Sequence, residues 1–256
     1  MKPLISVVIP AYNAQKYIRQ AMESVIEQTT DVGIEVLVID DGSTDSTASI
    51  VYEMQEECYK QKLEKREIRY CCNESNMGVA ESRNNGIRQA NGEYIAFLDA
   101  DDWWDTDKVA KQLKVLQESG AVLCATAREL VRADGVPLKR VIEIPQKIQY
   151  HSLLKTNCIP CSSVLLKTEV AREFYMCHDE LHEDYILWLK VLNKYGDAVG
   201  VNEPLVKCRM SEGGKSRNKI KSARMQYGVY RYIGFGRVKS FYYMIFYTLH
   251  GIFKYI

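Results

Sequence analysis

Four short apolar runs, at residues 5–10 (ISVVIP), 35–40 (EVLVID), 68–72 (IRYCC) and 94–98 (YIAFL), alternate with stretches whose apolar side chains recur at helical spacing. Three of these runs are continuously apolar rather than alternating, the pattern of strands buried on both faces. That order predicts a mainly parallel sheet covered by helices on each side, an α/β fold. The first helix carries Ile18, Met22, Val25 and Ile26 and stops near Gln28. The second turns out of Gly42, with Ser43 or Thr44 as N-cap and Ile50, Met54 and Cys58 facing inward. The third covers 79–90, between the Asn76-Met-Gly78 turn and an Asn91-Gly92 stop. In such sheets ligands bind beyond the carboxyl ends of the strands. Residues Pro10 to Asn13, Asp40-Asp41 and Asp99 to Asp102 are therefore expected on one rim. A helix through Val109, Leu113 and Leu116 follows, then shorter strands near 122–127 and 162–166. A helix opened by His182-Glu183-Asp184 comes next, its acids suited to a helix N-terminus.

Charge divides the chain more sharply than hydropathy does. Net charge is +1, yet residues 207–256 hold eleven Lys or Arg and a single acid, Glu212, leaving the preceding 206 residues acidic. The expected organisation is a body at 1–206, with halves at about 1–105 and 106–206, and a basic, aromatic helical tail at 207–256. Cys71 and Cys72 are adjacent, and the eight cysteines follow no disulfide framework, which suits reduced thiols in a cytosolic protein. Cys158-Ile-Pro-Cys161 has CxxC spacing, with Cys177 and His178 downstream, but no second CxxC or HxxxH completes a zinc site. Met1-Lys-Pro runs straight into the first strand without a basic, then apolar, leader, so no signal peptide is expected.

The fourth run delivers Asp99, Asp101 and Asp102 to one point. Like charges so close are costly without a cation. Two carboxylates offset by two residues at a strand end can hold one hard divalent ion, Mg or Mn, that keeps positions open for substrate phosphates. The plainer use of the segment is a solvated acidic turn leading to an N-cap, with Asp102 capping the helix after Trp103 and Trp104.

Residues 5–13 (ISVVIPAYN), 35–43 (EVLVIDDGS), 76–86 (NMGVAESRNNG) and 92–103 (GEYIAFLDADDW) resemble the ordered motifs of family 2 glycosyltransferases of the GT-A fold, a Rossmann-like nucleotide-diphospho-sugar transferase architecture. The resemblance covers about residues 4–210 and continues through His182-Glu183-Asp184 and Trp188. It implies transfer of a sugar from a nucleotide diphosphate donor with inversion at the anomeric carbon. Carried onto this chain, Pro10, Ala11, Tyr12 and Asn13 would border the nucleotide, Tyr12 by stacking. Asp41 would hydrogen-bond base or ribose. Asn76, Gly78, Arg83 and Asn84 would flank nucleotide and donor sugar, with Arg83 offsetting pyrophosphate charge, and Ala100 would border the nucleotide. Asp99-Ala-Asp101 matches the DxD signature, Asp101 touching the metal and Asp99 the ribose, the sugar or the metal through water. Asp184 would be the base that deprotonates the acceptor, with Glu183 as its alternate one register away; both acids could instead serve only the helix N-terminus. His182, Trp188 and His178 would contact acceptor or phosphate.

Chain length, the His-Glu-Asp segment and the tail resemble the subgroup that builds bacterial O-antigen or capsule units. That implies a UDP-hexose donor, glucose or galactose passed in β linkage, and an undecaprenyl diphosphate-linked saccharide acceptor. The tail's Arg231, Arg237 and Lys239, followed by Phe241, Tyr242 and Phe246, read as a segment lying on an anionic inner-membrane surface from the cytoplasmic side. Burial in a homodimer is its rival use. Nucleic-acid binding is not expected, since no motif for it accompanies the patch. Two other functions compete: a non-catalytic membrane-bound sugar-nucleotide binder, and a haloacid-dehalogenase-like phosphatase. The phosphatase motif stands near its N-terminus and is followed by Thr or Val, unlike Asp99-Ala-Asp101 here. A dinucleotide oxidoreductase is disfavoured because the first strand exits without GxGxxG.

Overall fold

The computed structural model describes residues 4–177, 180–210 and 219–254, with side-chain detail excluded for 219–221 and 249–254. Its centre is one ten-stranded sheet. Strands β1 (Ile5–Ala11), β2 (Ile34–Asp40), β3 (Arg66–Cys72) and β4 (Tyr94–Phe97) are mutually parallel, in the order β3-β2-β1-β4. The sheet continues through β9 (Leu165–Lys167), β6 (Leu123–Val131), β10 (Ala198–Arg209) and β5 (Trp103–Trp104). Only β9 and the short β5 break the parallel run on this path, and β7 (Pro137–Ile142) and β8 (Lys147–Ile148) add antiparallel edges.

Period-two burial splits the core into two layers. Ile5, Val7 and Ile9 of β1 pack with Val36 and Val38 against α1 (Ile18–Ile26), α2 (Thr47–Lys60) and α4 (Lys108–Ser119). Val8, Leu37 and Ile39 face the opposite layer, formed with α3 (Val79–Gln89), α6 (Thr168–Phe174) and α7 (Glu183–Tyr195). Both strand faces are apolar because both are covered. Helix α3 approaches β1 so closely that a Cβ at Gly86 would lie 2.3 Å from Val8 Cγ1. The short α5 (Tyr150–Leu153) and the C-terminal pair α8 (Lys219–Tyr232) and α9 (Arg237–Lys254) complete the molecule. Tyr230 of α8 is buried and donates its hydroxyl to the Leu154 carbonyl at 2.6 Å.

Three local expectations change. The second helix starts at Thr47, not behind Ser43 or Thr44, because the preceding turn is held by Asp45, which accepts the Thr47 N–H at 2.9 Å. Trp103 and Trp104 form β5 against Lys207 and Val206, and the helix after them starts at Lys108 behind Asp107, so Asp102 does not cap it. Strand β10 runs to Arg209, so the first residues assigned to the tail, Lys207 to Arg209, belong to the sheet.

Candidate active site

Strand β1 pairs with β2 on one side and β4 on the other, so the chain leaves their carboxyl ends in opposite directions and opens a crevice there. A cleft of about 660 Å³ occupies that position. Its walls are Pro10 near the end of β1, Tyr12, Asn13 and Ala14 beyond it, Tyr17 before α1, and Val79 and Arg83 of α3. Asp99, Ala100 and Asp101 follow from β4, Pro160 and Cys161 from the turn before β9, and Glu183 and Asp184 from α7. Residues expected on one rim thus converge with a helix end eighty residues further along the chain.

The β1 exit is tightly built. Asn13 adopts a left-handed conformation (φ 49°), donates its N–H to the Ser43 hydroxyl at 2.8 Å and accepts the Thr44 N–H at 2.9 Å. Asn tolerates that backbone region better than other side-chain-bearing residues. Tyr12 stands exposed at the mouth, its ring available to stack on a planar ligand. Ala11 is buried and its carbonyl accepts the Asp41 N–H, so it shapes the rim from behind and does not line the cleft. Asp41 also departs from its expected ligand contact. It is buried, and its carboxylate accepts the Met77 and Gly78 N–H groups and the Asn73 amide, each at 2.8 Å. Those bonds fold the Asn76–Gly78 turn, where Gly78 needs its positive φ of 88°. Asn76 is exposed there, with its N–H beside Gly42, outside the cleft wall.

Arg83 is almost completely buried beneath the cleft. Its guanidinium donates to Asp99 at 2.5 Å and to Glu183 at 2.9 Å. The charge expected to face a pyrophosphate is therefore already shared by two carboxylates. Asp101, two residues on in the loop, makes no salt bridge among the described residues; burial and then Asp99 push its carboxyl above the ordinary range, against the pull of Arg209. Asp102 turns away from the cleft. It accepts the Ser162 hydroxyl at 2.7 Å and the Arg209 N–H at 2.9 Å, while burial, Asp99 and Asp101 push it up to about 7. The Ser162 hydroxyl also accepts the Asp99 N–H at 3.2 Å, tying both ends of the Asp99–Asp102 turn together.

At the α7 N-terminus, Asp184 faces the cleft and accepts the N–H of Tyr185 at 2.7 Å. Burial, then the adjacent Glu183, push it up to about 7, near the range where a general base works at neutral pH. Glu183 is neutralised by Arg83, so the two acids have different environments despite adjacency. His182 is the N-terminal flanking residue of α7, half-buried and outside the cleft wall. Trp188 is fully buried against Phe97, ring centroids 6.3 Å apart, and belongs to the core; this overturns the acceptor contact expected of it. His178 lies outside the described residues.

For a divalent cation, Asp99 and Asp101 offer a hard oxygen pair opening into the same cleft, where burial and the mutual repulsion of the two carboxylates favour an added positive charge. Among the described residues no three His, Cys, Asp or Glu side chains gather into a ready-made cage. The pair fits an ion whose remaining positions are filled by phosphate and water. Among the described residues the cysteines form no such group either, and Cys161 is part of the cleft wall; His178, the remaining candidate ligand, lies outside the described residues.

Several contributors escaped sequence reasoning. Arg209 holds the Asp101 carbonyl through Nε at 2.9 Å, reaches Gln20 and the Ala133 carbonyl, and stacks over Tyr17 and Trp103. Ser162 and Tyr17 likewise sit in unremarkable stretches, and nothing local distinguishes them from surface residues.

Residues 6–172 match the family described as Glycosyl transferase family 2. A Bacillus subtilis protein named for teichuronic acid biosynthesis, TuaG, is 36% identical over 91% of this chain and 89% of its own length. An Escherichia coli protein, WfaP, named as a UDP-Glc:alpha-D-GlcNAc-diphosphoundecaprenol beta-1,3-glucosyltransferase, is 32% identical over 98% of this chain and 95% of its own. Among solved structures, S. aureus TarS 1-349 in complex with UDP-GlcNAc superposes with TM-score 0.72 at 20% identity, covering 95% of this chain and 70% of that one. The mannosyltransferase PcManGT of Pyrobaculum calidifontis, in complex with GDP-Man and Mn2+, gives 0.68 at 19% identity with the same coverage. Architecture, cleft position and sequence agree: the chain is a GT-A-fold member of glycosyl transferase family 2, a glycosyltransferase.

Proposed function

We propose that this protein transfers a hexose, glucose or galactose, from a UDP-sugar to a saccharide carried on undecaprenyl diphosphate, forming a β linkage with inversion during O-antigen or capsule assembly. The observation that carries the reading is the position of Asp184, which faces Asp99 and Asp101 across one cleft. A shared cleft supports reading Asp184 as the proton acceptor and Asp99 and Asp101 as the carboxylates that meet a diphosphate. The donor and lipid-linked acceptor named for WfaP support the substrate class.

Tyr12 stacks on the uracil at the mouth, and Pro10 and Asn13 border the nucleotide. Asp41 contributes indirectly, by folding the Asn76–Gly78 turn. Asp99 and Asp101 would hold Mg or Mn, which when bound supplies charge stabilisation to the departing diphosphate. Arg83 keeps Asp99 and Glu183 at fixed separation, so the donor-side and acceptor-side carboxylates do not drift apart. Asp184 accepts the proton of the acceptor hydroxyl as that oxygen attacks the anomeric carbon. The basic tail and a lipid-borne acceptor support a peripheral position on the cytoplasmic face of the inner membrane. No helix among the described residues is long and apolar enough to cross a membrane.

The test is release of nucleoside diphosphate from a panel of nucleotide sugars with a synthetic lipid diphosphate sugar, with Mn or Mg and with chelator. Metal-dependent release from UDP-glucose or UDP-galactose is expected, with loss in Asp101→Asn. Release from every donor alike, or none from a donor that binds, would overturn the assigned substrates.

A further inference from the structure

Helix α9 carries two apolar faces, of which one is covered by the described residues of the fold. Tyr243, Met244 and Tyr247 pack onto the core, with Tyr243 5.7 Å from the Tyr230 ring and Tyr247 6.0 Å from the Tyr185 ring. On the opposite side, Val238, Phe241, Tyr242 and Ile245 are exposed by 86%, 55%, 52% and 41%. Their spacing of i, i+3, i+4 and i+7 makes one continuous stripe. Phe246 lies half-buried at its edge, 4.7 Å from the Tyr242 ring. Exposed Arg231, Arg237 and Lys239 flank the start of the stripe.

We infer that this stripe is a lipid-contacting surface: α9 lies flat on an anionic bilayer, its four apolar side chains entering the acyl boundary and its basic residues meeting headgroup phosphates. Charge selects the occupant. Residues 219–254, which span α8 and α9, hold seven Lys or Arg and no acid, so a two-fold contact of this face with a second copy would set two basic segments against each other. Anionic headgroups complement them, and Tyr and Phe favour the interfacial zone. An 18-residue helix is about 27 Å long, enough to rest in the plane of the surface while its other face stays on the protein.

The docked helix bears on the catalytic end of the cleft. Tyr247 stacks on Tyr185, the residue after Asp184, and Tyr185 is itself fixed by donation to the Leu153 carbonyl at 2.7 Å. Lipid contact by α9 therefore holds the base-bearing end of the cleft near the bilayer, where a lipid-linked acceptor is presented. This last consequence rests on the proposed acceptor; the docking itself does not.

The experiment is sedimentation of the full chain with vesicles of phosphatidylcholine, alone or with about one third phosphatidylglycerol, across a salt series. Binding to the anionic vesicles that weakens with salt is expected, with little on neutral ones. The double variant Phe241→Ser/Ile245→Ser should bind about ten-fold or more weakly. Arg237→Gln and Lys239→Gln should each cost about five-fold. Melting temperature and turnover with a short-chain soluble acceptor should be unchanged in all of them. Equal binding by wild type and the double variant, no preference for anionic vesicles, or a wild-type dimer that the double variant splits would overturn the inference. Vesicle binding needs no acceptor, so its failure with intact turnover sinks the docking alone, and intact binding without turnover on any acceptor sinks the proposed function alone.

Discussion

Arg83 and Glu183, a hundred residues apart in the chain, form an ion pair of 2.9 Å in the floor of the cleft, both side chains nearly sealed from solvent. The same guanidinium holds Asp99. One side chain therefore sets the distance between the loop proposed to meet the diphosphate and the helix end proposed to meet the acceptor.

Arg83→Gln should remove both functions at once. Breaking a buried pair from one side removes the guanidinium from Glu183 and Asp99 together, which costs about 3–5 kcal/mol. Arg83→Lys should retain more stability yet lose most kcat/KM, because an ammonium cannot span two carboxylates as the planar fork does. Denaturant melts and steady-state kinetics on both variants separate the two effects.

The pH dependence of kcat should show an acidic limb with its midpoint near 7. Asp184 must be ionised to accept a proton, and burial together with Glu183 pushes its carboxyl up to about 7, so turnover rises with pH through that value and then levels. Asp184→Asn should lower kcat by about 10²–10⁴-fold and abolish the limb. Glu183→Gln should keep the limb while lowering stability, since it leaves Arg83 with Asp99 as its one carboxylate partner among the described residues.

Stability without donor should fall as pH rises. Asp102 binds its proton more tightly folded than unfolded, its carboxyl standing at about 7 against an ordinary value of 3.8. A carboxyl raised in this direction costs nothing below its unfolded value; the penalty grows as pH climbs and is complete above about 7. Thermal midpoints between pH 5 and 8 should slope downward, and Asp102→Asn should flatten that slope.

Gly86→Ala should destabilise by about 1–3 kcal/mol, since the added methyl would meet Val8 Cγ1 at 2.3 Å and push α3 off β1. Because α3 also carries Arg83, the variant should lose affinity for donor beyond what its melting temperature explains. A smaller neighbour, as in the pair Gly86→Ala/Val8→Ala, should restore part of both.

The parallel sheet was legible in the sequence because strands buried on both faces must be apolar throughout, and β1 to β4 are local enough to show it. The same holds for the rim residues Tyr12, Asn13, Asp99 and Asp101, which follow directly from strand ends, and for Asp184, placed by a helix start. Asp41, Trp188 and Asp102 show the limit. Each is an ordinary motif or helix residue until the fold decides which way it points, and packing turned Asp41 onto a backbone turn, Trp188 into the core and Asp102 onto Ser162. Arg209 and Ser162 are invisible locally because their partners lie 58 to 189 residues away. Periodicity reports which side of a strand or helix is buried; only the tertiary structure, by closing β9 and β10 around the β4 exit, decides which buried polar groups meet.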